Sequence, residues 1–135
     1  MIHKVCRLIA YTTFIGVAFL NLALTNKDKA VYETSEKDGF KVSEIGLKNL
    51  AVGVKDLDQK PPYRLPATAL VFLKDKVGVY RKRQDWFKLI FVNYQRVGST
   101  ETVVRSEELA AGDSVVIKGA ALLRVAESDA FGGEE

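Results

Sequence analysis

Cysteine and histidine are nearly missing from this chain. Cys6 and His3 are the single examples of each among 135 residues. One cysteine cannot form an internal disulfide, and one of each cannot build a Cys/His zinc cluster. A hydrolytic triad needs a histidine placed in its site, and His3 sits ahead of an apolar run instead. Methionine is confined to Met1, so Met1 and Cys6 are the only soft donors for a cuprous ion. No glycine cluster opens a helix after a strand with phosphate-loop spacing. Charge of one sign is lacking too. Lys plus Arg is 20, Asp plus Glu is 17, and the net charge is +3. Lys4 and Arg7 precede the apolar run, leaving 18 bases against 17 acids in the rest. The pI of about 9.0 therefore does not signal a nucleic-acid binder, which concentrates its bases on one face. The carboxylate pairs Asp56/Asp58 and Glu107/Glu108 stand beside turns without a histidine and read as solvated. The expectation is a protein that is not an enzyme and has no cofactor and no metal.

What is present begins with residues 8–25 (LIAYTTFIGVAFLNLALT), a stretch without a single charge. A bilayer core takes roughly 20 apolar residues in helical form, and lysine and arginine flanks extend a run of this length. Lys4 and Arg7 precede it, and Lys27, Asp28 and Lys29 follow. Two readings compete, a retained anchor and a cleaved signal segment; Ala23 and Thr25 offer small residues before Asn26, without the Ala-x-Ala form. Both leave residues 1–7 in the cytoplasm and export the chain beyond residue 25. Cys6 lies before the run, where a lipoprotein cysteine does not; it reads as a free thiol, with cytoplasmic acylation as the alternative. Residues 26–39 (NKDKAVYETSEKDG), polar and mixed in charge, are expected to be a tether.

From residue 40 the pattern is that of short strands. Phe40–Val42 starts one, and Ser43 caps a brief helix over Glu44–Asn49. Ala51–Leu57 alternates apolar and polar residues. Asp58–Tyr63, with Pro61-Pro62, is a connection, because proline cannot join a sheet centre. Ala69–Leu73 is an apolar run ended by Lys74-Asp75-Lys76, and Val77–Arg81 resumes a strand. Arg83-Gln84-Asp85 turns into Trp86–Tyr94, β-branched and aromatic, read as one long strand. Gly98-Ser99 turns into Thr102–Arg105, and Leu109–Asp113 reverses the chain into Ser114–Lys118. A short helix comes next, over Gly119–Ala126. The expected fold is mainly β, a small antiparallel barrel or sandwich with one or two short helices, spanning 40–128 and preceded by the transmembrane segment. Residues 129–135 are expected to be a flexible tail. Phe72, Phe87, Ile90 and Val92 are expected to fill the interior, leaving no ligand cavity.

Three stretches resemble the membrane-proximal domain of periplasmic adaptor proteins, the membrane fusion proteins of RND-type efflux pumps. Arg64–Phe72 (RLPATALVF), with Pro66, is similar to that family's entry into its closing strands; Val79-Tyr80 and Trp86-Phe87 come after it in the family's order. Leu109–Leu123 (LAAGDSVVIKGAALL) is the most specific, matching Leu109, Gly112, Asp113, Val115, Val116, Gly119, Ala120, Leu122 and Leu123. Phe40–Val54 is similar to the short helix and strand near the start of mature adaptors. Glu108 stands where the family usually has glycine, and Leu50-Ala51-Val52 departs from its Leu-Gly-Val pattern. Asp58–Tyr63 replaces the family's β-barrel, lipoyl-like domain and α-helical hairpin, so the resemblance covers one domain of four. It implies a membrane-proximal domain standing alone at the outer face of the inner membrane.

The candidate binding residues are Arg81, Lys82, Arg83, Trp86 and Lys88, basic and aromatic side chains around one hairpin turn. If they form a partner surface, changing Arg81, Lys82 and Arg83 together to serine leaves the fold intact and weakens association. The resemblance points to an inner-membrane pump subunit as partner and to accessory work in efflux. The alternative is a structural envelope protein that self-associates or binds another envelope component, with no transport role.

Overall fold

The computed structural model describes residues 29–132. The segment 8–25, with residues 1–7, the first part of the expected tether and residues 133–135, lies outside them. Among the described residues no helix is long and apolar enough to cross a membrane.

The described chain is mainly β, with ten strands and two α-helices in two antiparallel sheets. The elements are β1 (Val31–Ser35), β2 (Gly39–Val42), α1 (Glu44–Asn49), β3 (Gly53–Asp56), β4 (Tyr63–Pro66), β5 (Val71–Phe72), β6 (Val77–Arg83), β7 (Trp86–Phe91), β8 (Asn93–Val97), β9 (Glu101–Arg105), β10 (Ser114–Lys118) and α2 (Ala120–Ala130). A 3-10 turn, Ala67–Ala69, joins β4 to β5. The larger sheet runs β1-β2-β7-β6-β10-β3, with β5 also beside β6; the smaller runs β4-β9-β8.

The larger sheet carries a core on each face. On β6, Val79 belongs to one cluster and its neighbour Tyr80 to the other. Val115 and Val116 divide in the same way on β10, because successive strand residues point to opposite faces. The first core lies between the sheets and holds Leu57, Tyr63, Leu65, Ile90, Val104 and Leu109 beside Val79 and Val115. The second lies against α1 and α2, where Phe40, Phe87, Tyr80 and Leu123 meet. Phe40 stacks on Phe87 at 6.0 Å between ring centroids and meets Tyr80 edge-on at 5.9 Å.

Several boundaries differ from the sequence expectation. Residues 31–39, placed in the polar tether, form β1 and its turn into β2. Tyr32, Glu33 and Thr34 are exposed on this outermost strand, so a polar sequence fits it. Gly39, at φ 103°, permits the docking: a Cβ there would lie 1.9 Å from the Phe87 carbonyl oxygen. The strand expected over Ala51–Leu57 is shorter. Ala51 has φ 51°, and Leu57 instead exchanges backbone bonds with Gly112 and Asp113. The expected strand Trp86–Tyr94 divides at Val92, whose N–H donates to the Val77 carbonyl while the chain crosses from the larger sheet to the smaller. Phe72, expected inside, is 57% exposed and meets Tyr94 edge-to-face.

The helix expected over Gly119–Ala126 runs from Ala120 to Ala130, so residues 129 and 130 of the expected tail are helical. Gly119 starts it at φ 78°, and a Cβ there would come within 2.6 Å of the Leu50 carbonyl oxygen. Leu122 and Leu123 together match the family motif, yet they divide. Leu123 is fully buried against the sheet and Leu122 is 53% exposed, because consecutive helical residues lie about 100° apart around the axis.

Candidate interaction surface

The β6–β7 hairpin turns through Gln84 and Asp85, with Gln84 at φ 57°, and its register sets Arg83 opposite Trp86, Lys82 opposite Phe87 and Arg81 opposite Lys88. Alternation then divides the candidate residues. Arg81, Arg83, Trp86 and Lys88 share the face that carries Val79 and Ile90 further along. Lys82 points to the other face, beside Phe87 and Ser114. β2 adds a member from far away in sequence. Lys41 is paired with Trp86, and its ammonium lies 4.7 Å from the indole centroid. No local pattern in the sequence announces Lys41, because only the β2–β7 register brings it there.

The cations on this face fall into two kinds. Arg83 and Lys41 have carboxylate partners. Arg83 donates Nε to Asp113 Oδ1 and Nη2 to Asp113 Oδ2, each at 2.8 Å. The backbone N–H of Ala110 donates to the same Asp113 Oδ2 at 3.0 Å, closing the reversal before β10. Arg83 holds the Asp113 carboxyl below its ordinary value, and Asp113 in turn raises Arg83. Lys41 donates to Glu33 Oε2 at 3.1 Å, and this bond raises the lysine above its ordinary value. Arg81 and Lys88, directly opposite one another, bond instead to neutral carbonyl oxygens. Arg81 Nη1 donates to Glu108 O and Lys88 Nζ to Lys37 O, each at 2.9 Å. The Arg81 Nε is buried and has no partner among the described residues.

The sequence marked Asp113 only as part of a reversal, and its role as the partner of Arg83 comes from contact across 30 positions. A triple serine change at Arg81, Lys82 and Arg83 therefore does not isolate binding, since it also opens the Asp113 clasp. Of the motif residues, Leu109, Asp113, Val115, Val116, Ala120 and Leu123 are buried, and Pro66 ends β4. Gly112 has φ 94° at the reversal, which favours glycine. On the opposite face, the buried Tyr80 hydroxyl donates to Glu127, which also pairs with Arg124 at 3.3 Å. This anchors α2 to β6.

An open groove of about 580 Å³ runs between β1 and α2, where Tyr32, Leu50, Leu122 and Val125 line it with Lys29, Glu33 and Asp129. Among the described residues no group of three or more His, Cys, Asp or Glu side chains is placed to hold a metal. No protein-family model, curated protein or solved structure matches the chain.

Proposed function

We propose that this protein is a non-enzymatic, adaptor-like accessory component of an RND-type efflux system. It works by protein–protein binding at the outer face of the inner membrane. In this reading residues 8–25 are the single-pass anchor and the two sheets are a small sandwich in the periplasm. The anchor confines the domain to the membrane surface and raises its effective concentration near a pump subunit. One observation supports a docking surface above the others: Arg81 and Lys88 face each other across β6 and β7 beside Trp86, and among the described residues they bond to carbonyl oxygens alone. Like charges directly opposite in a sheet repel, and a carboxylate on a partner relieves that repulsion. The aromatic ring beside them supplies area at low entropic cost.

The test is a mild-detergent pull-down of the full chain at native level from its own host, read by mass spectrometry. Recovery of an RND-type pump subunit, lost in a Trp86→Ser/Lys88→Glu variant of unchanged thermal stability, is the expected result. Recovery of the protein with itself or with other envelope proteins alone moves the reading to a structural envelope role.

A further inference from the structure

Five of the described strands have a strand partner on one side only: β1, β3 and the two-residue β5 in the larger sheet, β4 and β8 in the smaller. An outermost strand presents unpaired backbone groups, and proteins protect such edges with bulges, prolines or charged cover. β5 is protected by its shortness, and three of the other four by such devices. The β1–β2 pairing is bulged between Val31 and Glu33. The β10–β3 pairing is irregular between Val116 and Lys118, and β3 carries the charged Lys55 and Asp56. β4 ends in Pro66, and Lys55 Nζ covers it by donating to the Arg64 carbonyl oxygen at 3.2 Å.

β8 has neither a bulge nor a proline, and Arg96 is its single charge. Its five residues, Asn93 to Val97, contain no proline and no acid, and all five are exposed. It pairs with β9 over its whole length without a break in register. The strand is therefore regularly paired along one side and has no strand partner on the other among the described residues.

We propose that β8 is a self-association edge, occupied by β8 of a second copy of this chain in antiparallel register about a two-fold axis at Gln95. The side chains favour that occupant. With Gln95 opposite Gln95, Asn93 meets Val97 and Tyr94 meets Arg96. Each dimer then contains two tyrosine–arginine cross-strand pairs on one face, a ring facing a guanidinium in both directions. No like charges stand directly opposite in this register. The result is a continuous six-stranded sheet made from two three-stranded ones, with an isologous interface. This surface lies on the smaller sheet, apart from the β6–β7 platform, so the proposal stands or falls independently of the pump reading.

The experiment uses the full chain in mild detergent, with mass measured by sedimentation over the micromolar to millimolar range. In a Cys6→Ser background, Gln95→Cys is treated with a short bifunctional thiol reagent, and Thr34→Cys on the bulged β1 edge serves as control. A concentration-dependent dimer is expected, cross-linked through position 95 and not through 34. Gln95→Glu sets two carboxylates opposite each other on an exposed position, and it is expected to weaken the dimer about two- to fivefold while leaving thermal unfolding unchanged. A monomer throughout the range overturns the proposal. So does a dimer that Gln95→Glu leaves unaltered, as one held by residues 8–25 is, or equal cross-linking through position 34.

Discussion

The two faces of the larger sheet bury a tyrosine each, and the two hydroxyls meet opposite fates. On the helical face, Tyr80 is fully buried and its hydroxyl donates to Glu127, which α2 carries. On the face toward the smaller sheet, Tyr63 is 3% exposed, and its hydroxyl has no partner among the described residues. The first core is aliphatic apart from Tyr63 and joins sheet to sheet; the second is built around the aromatic cluster Phe40, Tyr80 and Phe87 and joins sheet to helix. A sheet–sheet core closes by interdigitating side chains alone. A short helix on a sheet has less area to bury, and α2 adds a polar fastening to its two buried residues, Ala120 and Leu123. The helical face thus depends on a few specific contacts, while the other spreads its stability across many aliphatic ones.

The sharpest way to break this contrast is in the aromatic core. Phe87→Ala is expected to cost about 3–5 kcal/mol in urea unfolding, removing the ring stacked on Phe40. Leu65→Ala, in the aliphatic core, is expected to cost about 2–5 kcal/mol and to sit below Phe87→Ala. The reverse order would undo the assignment of the aromatic core as the concentrated one.

Next in size is Tyr80→Phe, at about 2 kcal/mol, for loss of a buried bond to a carboxylate. Its pH dependence is equally specific. Burial first, and then the bond to Glu127, raise the Tyr80 phenol above its ordinary value. A raised folded value means stability that is complete below the unfolded pKa, about 10, and lost as pH climbs beyond it. Tyr80→Phe should therefore flatten the alkaline limb of a stability–pH curve.

Asp113→Asn is expected to cost about 1–2 kcal/mol, through weakened bonds to Arg83 and the Ala110 N–H. Because Arg83 depresses the Asp113 value, that contribution is present above the unfolded carboxylate pKa of about 3.9. It is lost as pH falls through the lower folded value. The variant should show a shallower acid limb below pH of about 4. Smallest of all is Tyr63→Phe, expected within about 0.5 kcal/mol of the parent or slightly stabilising, because its buried hydroxyl has no partner among the described residues. A large loss there would reveal a partner for that hydroxyl and erase the contrast with Tyr80.

Much of the β framework was legible from local signals. Ser43 accepts from the Gly46 N–H, as its type at that position suggests, and α1 spans Glu44–Asn49. Ser114–Lys118 reads as a strand from its alternation alone, and Gly98 and Gly112 mark turns. The interaction surface was legible in part. The basic and aromatic composition of the hairpin is visible in the chain, but the separation of Lys82 from its neighbours follows from pairing, and Lys41 from a strand 45 positions before Trp86. The polar stretch around β1 misleads because an outermost strand with three exposed residues needs little apolar sequence.

By itself, the sequence determined what depends on neighbours a few residues apart: caps, turns and the alternation of strands. Tertiary structure alone decided the crossing between sheets at Val92, the inward turn of Leu123 against the outward Leu122, and the Arg83–Asp113 clasp. The physical reason is range. Backbone preference and periodicity act within a turn or two of the chain. Which strands become neighbours is set by burying two faces of one sheet at once, a condition that no single segment carries.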